Sequence, residues 1–254
     1  LGLRYQDSVS VIDSESSTDS KQTDIDTGPA EPELLDLVGD LEVSDPTIIQ
    51  YNETYIIFHT GPGISVKRSD NLLTWHSVDD IFATLPNWIT ADYPDTKALW
   101  SPDISFHNDT YFLYYSISTF GSNVSCVGLA VSDNLNEGTV WNDQGPVVCT
   151  NSDDNWNAID PNYILDENKE PWLVLGSYWT GIKAIRLNSN GMREDDEIYD
   201  ISSRISEPDT TAPVIINRNG IFYHFVSFDK CCQGIDSTTN LRVGRSETLL
   251  GPYF

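Results

Sequence analysis

Apolar runs of strand length recur along the chain, and a proline opens each of four of them. Thr47-Ile48-Ile49-Gln50-Tyr51 follows Pro46, and Asp103-Ile104-Ser105-Phe106 follows Pro102. Asn162-Tyr163-Ile164-Leu165 follows Pro161, and Val214-Ile215-Ile216-Asn217 follows Pro213. These prolines stand 56, 59 and 52 residues apart. A polar turn closes each run: Asn52-Glu53, His107-Asn108-Asp109, Asp166 to Lys169, and Arg218-Asn219-Gly220. A second and a third β-prone segment follow each turn, for example Thr54 to His59 and Ile64 to Ser69 in the first unit. A single such sheet leaves a face unburied, and stacking the units around an axis covers it. The pattern predicts an all-β fold, a β-propeller with about four blades present in this chain. The innermost strand then follows each proline, so that Asp45, Asp103 and Asp160 converge on the central channel.

Residues 1–40 are of different composition. Ser, Thr, Asp and Glu dominate from Asp7 to Glu33, and we expect an acidic low-complexity leader ahead of a propeller domain over 41–254. Leu34-Leu35-Asp36-Leu37-Val38 reads as a short helix or a strand. The net charge of −25 argues against nucleic acid and anionic membranes as partners and is compatible with a neutral substrate. No apolar run is long enough to span a bilayer. Three sequons, at Asn52, Asn108 and Asn123, favour a secreted glycoprotein. Cys126 and Cys149 fall in neighbouring strand-like segments and could pair in an oxidising compartment, whereas adjacent Cys231 and Cys232 leave the bonding state open. Aromatic residues make up 11% of the chain and suit either sheet cores or sugar-stacking surfaces, and for Trp141 and Trp172 core packing is the expectation.

Carboxylates converging on a funnel suit glycoside hydrolysis, in which one group must be protonated and another ionised. More specific are Asn157-Ala158-Ile159-Asp160-Pro161, Leu99-Trp100-Ser101-Pro102-Asp103-Ile104, Ser118 to Asn123, Gly176-Ser177-Tyr178-Trp179-Thr180-Gly181, and Ser227 to Gly234 with Val243-Gly244-Arg245-Ser246. Together, over about 43–254, these motifs closely resemble the endo-1,5-α-L-arabinanases of glycoside hydrolase family 43. The resemblance implies a five-bladed propeller, inversion at the anomeric carbon, and arabinan or arabino-oligosaccharides as the polysaccharide substrate of a secreted monomer. It assigns Asp45 as general base, behind Ser44 where the family has His. It assigns Asp160 as the carboxylate that tunes and orients the acid. Asn157, Ala158 and Ile159 flank Asp160 at the sugar, and Trp100, Phe120, Gly121, Ser177, Tyr178 and Trp179 match the substrate groove.

Two departures accompany the resemblance. Thr211 occupies the place of the family's general-acid Glu, and a threonine hydroxyl is far too weak an acid for that role. Glu207 and Asp209, just upstream, are the candidates to replace it. The chain stops at Phe254, where the family continues into a last blade carrying a histidine that helps hold a central calcium or similar ion; no metal ligand is carried over and no cofactor is expected. Impaired hydrolysis of α-1,5-linked L-arabinan is therefore the leading reading, with a non-catalytic arabinan-binding protein as the alternative. Endo or exo action is left open, and a protein-binding scaffold has only the fold in its favour.

Overall fold

The computed structural model describes residues 34–204 and 210–254. Within Asp36–Phe254, four sheets are arranged as the blades of a β-propeller. β1 (Val38–Gly39) lies parallel to the outer strand of the first blade. That blade is β2 (Thr47–Tyr51), β3 (Thr54–His59), β4 (Ser65–Ser69) and β5 (Thr74–Val78). The second is β6 (Trp100–His107), β7 (Thr110–Ile117), β8 (Ser125–Ser132) and β9 (Asn142–Thr150). The third is β10 (Asn162–Leu165), β11 (Pro171–Leu175), β12 (Ile182–Arg186) and β13 (Tyr199–Ser202). The fourth has β14 (Thr210–Arg218), β15 (Ile221–Phe228) and β16 (Asn240–Ser246). Within each blade successive strands are antiparallel neighbours, as the proline-led units predict. The one α-helix among the described residues, α1 (Asn87–Asp92), was not anticipated; it buries Ile89.

Alternation along the strands explains why blades rather than a single layer form. On β7, Leu113 and Tyr115 pack towards the first blade, while Phe112 and Tyr114 pack towards the third. On β11, Leu173 and Leu175 face the second blade, while Trp172 and Val174 face the fourth. Successive side chains point to opposite faces, so a middle strand apolar at every position is satisfied only between two neighbouring sheets. The fourth blade has one covered face, with Ile215 and Phe222 buried, and one exposed face, with Val214 and Ile216 each 46% exposed. Trp141 and Trp172 are core residues, as expected.

A repeated hydrogen bond joins the blades around the channel. In three units the residue after the proline accepts the backbone N–H of the second residue after the next unit's proline. Thr47 Oγ1 accepts Ile104 N at 3.4 Å, Asp103 Oδ2 accepts Tyr163 N at 2.7 Å, and Asn162 Oδ1 accepts Ile215 N at 2.7 Å. Cys126 and Cys149 form a disulfide across β8 and β9, where they are register partners. Cys231 and Cys232 are free thiols.

Candidate active site

Asp45, Ser101, Asp160 and Ala212 each immediately precede one of the four prolines. All four adopt left-handed backbone conformations, with φ of 48°, 43°, 57° and 53°. Non-glycine residues rarely hold that conformation, and the cost is typically about 1–3 kcal/mol each. Here it recurs at the same position of every blade and turns each residue onto one end of the channel.

The four form a connected chain of bonds. Thr60 Oγ1 donates to Asp45 Oδ2 at 2.8 Å and accepts the backbone N–H of Ser101 at 3.0 Å. The Ser101 hydroxyl and the backbone N–H of Ala212 both bond the Asp160 carboxylate. The backbone N–H of Asp160 donates to Ser116 Oγ at 3.0 Å. Loss of hydration is the main cause that pushes the Asp160 carboxyl up to about 6, and the charge of Asp45 adds to it; the bonds from Ser101 and Ala212 oppose the rise. Asp45 is exposed, and it lies close enough to the desolvated Asp160 carboxyl for its charge to act there.

Asp103 has a different place. Its bonds to Tyr163 N and to Asn162 Nδ2 direct it to the blade junction, and burial pushes its carboxyl up to about 7. Of the three carboxylates expected to meet in the channel, Asp45 and Asp160 act on one another, and Asp103 serves as an inter-blade tie.

Just ahead of Asp160, Ala158 is fully buried and its N–H donates to Thr150 Oγ1 at 3.0 Å. Asn157 is buried with no partner for its side-chain oxygen among the described residues, and the Ile159 carbonyl accepts Gly176 N at 2.8 Å. Gly176 then makes the bend into Ser177, Tyr178 and Trp179: at φ 128° a Cβ there would lie 2.7 Å from the Gly181 carbonyl oxygen. Ser177 is buried and bridges to Thr211, and Tyr178 N donates to Thr210 O at 2.8 Å. Trp179 is 36% exposed, Trp100 is half-buried, and Phe120, beside Gly121, is 75% exposed.

Thr211 is buried on β14, next to the residue whose N–H bonds Asp160. Glu207 and Asp209 lie outside the described residues. Among the described residues no group of three or more His, Cys, Asp or Glu side chains is placed to hold a metal ion. No step is routed through the central ion that the resemblance implies. Thr60, Ser116 and the Ala212 N–H were not singled out in the sequence; hydroxyls and backbone amides carry no spacing signal that marks them as supports of a distant carboxylate.

Residues 37–254 match the family described as Glycosyl hydrolases family 43. The chain is 39% identical over 215 residues to the extracellular endo-α-(1→5)-L-arabinanase 1 of Bacillus subtilis (strain 168), which covers 82% of this chain and 66% of that protein. It thus spans just under two thirds of that relative's length. A solved family 43 endo-arabinanase from Bacillus licheniformis superimposes with a TM-score of 0.82 at 41% identity, over 87% of this chain and 77% of the other. The Cellvibrio cellulosa α-L-arabinanase complexed with arabinohexaose gives a TM-score of 0.79 at 35% identity, over 85% of this chain and 74% of the other.

Proposed function

The chain belongs to glycosyl hydrolases family 43, and from that premise we propose that it is a secreted, monomeric protein acting on α-1,5-linked L-arabinan by inversion, with hydrolysis impaired by Thr211. The single observation that carries this reading is the Asp45–Asp160 pair, linked through Thr60 and Ser101, with Ala212 N–H on Asp160. Asp45, exposed and held by the Thr60 hydroxyl, takes a proton from water as the water attacks the anomeric carbon. Asp160 orients the opposite side of the glycosidic bond and sets the field at position 211. A glutamic acid at 211 would face that carboxylate; threonine offers no proton of useful acidity. The chemistry proposed uses carboxylates and water, with no cofactor. The named substrates of the relatives and the exposed aromatic residues Phe120 and Trp179 support arabinan as the ligand.

Secretion is supported by the Cys126–Cys149 disulfide and by the relative's extracellular name. Exposed turns at Asn52 and Asn108 suit N-linked glycans, whereas Asn123 is buried and donates from Nδ2 to the carbonyls of Asn151, Asp154 and Trp156.

Thr211 favours a second reading, that of an arabinan-binding protein without catalysis. Affinity electrophoresis in gels containing linear arabinan tests the part common to both. Retardation that Trp179→Ala weakens supports a working groove; unretarded migration of the wild type contradicts both.

A further inference from the structure

Cys231 and Cys232 follow β15, with Cys232 near the Asp45 and Asp160 carboxylates. Cys232 donates to Cys231, with the two sulfurs 2.6 Å apart. The hydroxyl of Tyr178, a groove residue, is 3.5 Å from the Cys231 sulfur. Cys232 lies close enough to Asp45 and Asp160 to feel both charges. It is exposed, and Cys231 is half-buried. Neither thiol packs a core, and neither has a part in the chemistry proposed for the carboxylates. Cys232 also holds a left-handed backbone, φ 65°, on the loop that carries the pair.

We propose that Cys231 and Cys232 form a reversible dithiol–disulfide site opening into the carboxylate cleft, with small-molecule disulfides and thiols as its substrates. Cys231, which accepts the hydrogen bond from Cys232, is the entering nucleophile. As thiolate it attacks one sulfur of an external disulfide and expels the other half as a thiolate, leaving a mixed disulfide. Cys232 then loses its proton to solvent and attacks the Cys231 sulfur, expelling the second external thiolate. One external disulfide is reduced to two thiols, and the pair gives up two electrons and two protons. Cys232 is the slower partner, because the bond to Cys231, burial, and the charges of Cys231, Asp45 and Asp160 push its thiol up to about 11. Adjacent Cα atoms are about 3.8 Å apart across a trans peptide, closer than in ordinary disulfides, so the closed form is strained and readily reduced.

The test needs no arabinan. Folded protein is treated with oxidised glutathione and its intact mass is measured, then measured again after a phosphine reductant. The expected result is loss of two hydrogen masses with no glutathione adduct, reversed by the phosphine. Phenylarsine oxide should bind one per chain in the reduced form only. Cys231→Ser and Cys232→Ser should each abolish the arsenical binding, and Cys232→Ser should stop oxidation at the glutathione adduct. A stable adduct on the wild type, or two thiols still alkylated after oxidation, overturns the proposal. So does arsenical binding that survives in the serine variants.

Discussion

The backbone N–H of Ala212 is bonded to the carboxylate of Asp160, across the junction of the third and fourth blades. Ala212, which directly follows residue 211, makes that bond with a left-handed backbone at φ 53°. Ala212→Gly should therefore be tolerated. Removing the Cβ relieves conformational strain and adds backbone entropy to the unfolded chain, two effects of opposite sign on the order of 1 kcal/mol each. Denaturant melts should place Ala212→Gly within about 1 kcal/mol of wild type, whereas Ala212→Val, β-branched at positive φ, should be clearly destabilised.

Ser101→Ala removes a bond that lowers the Asp160 carboxyl, leaving desolvation and the Asp45 charge to act with less opposition. The midpoint should move above about 6, read by carboxyl-carbon NMR titration. An unchanged or lowered midpoint would exclude Ser101 as the group that holds this carboxylate ionised.

Asp103 and Asp160 are carboxyls raised in the folded state, to about 7 and about 6 from an ordinary value of 3.8. For such groups the folded protein binds more protons than the unfolded chain between the two values. Their contribution to stability is therefore greatest below 3.8 and is lost as pH rises through 6 to 7. Asp103→Asn keeps an oxygen for the Tyr163 N–H and removes the charge. Above pH 7 the variant should gain on the order of 1–3 kcal/mol relative to wild type, with the gain vanishing near pH 4. Urea melts across that range decide it, and a pH-independent difference would count against desolvation as the cause.

Of the three sequons, two present free side chains. Expressed through a eukaryotic secretory route, the protein should carry glycans on Asn52 and Asn108 and none on Asn123. Treatment with an amide-cleaving glycosidase should remove two glycans from wild type and one from Asn52→Gln or Asn108→Gln. Asn123→Ala should leave the glycan count unchanged but lower the melting temperature, because carbonyls of Asn151, Asp154 and Trp156 lose their donor.

The blades were legible in the sequence because proline-led apolar runs and their turns are local signals. Asn108-Asp109 and Asn219-Gly220 are examples, with both residues of each pair at positive φ as tight hairpin turns require. Cys126 opposite Cys149 was within reach for the same reason, once two strand-like segments were recognised. The strand Tyr199–Ser202 and the single helical turn around Ile89 were not, since each is too short to show a period. The role of Asp103 was also hidden. A carboxylate beside a proline reads as catalytic in Asp103, which follows Pro102, as readily as in Asp45 or Asp160, which precede theirs, and the bond from Tyr163 N sets Asp103 apart. Likewise the sequon at Asn123 looks like the other two until its amide is seen to be spent on three carbonyls.

The most direct test of the central claim is reducing-sugar release from linear arabinan by the wild type, Asp45→Ala, Thr211→Glu, and Thr211→Glu combined with Asp45→Ala. Restoring an acid beside Asp160 should raise the rate by on the order of 10² to 10⁴ over wild type, and removing Asp45 should abolish that gain. If Thr211→Glu folds and binds arabinan yet gains nothing, or if the wild type hydrolyses at a rate that Asp45→Ala leaves unchanged, the Asp45–Asp160 pair is not the hydrolytic site.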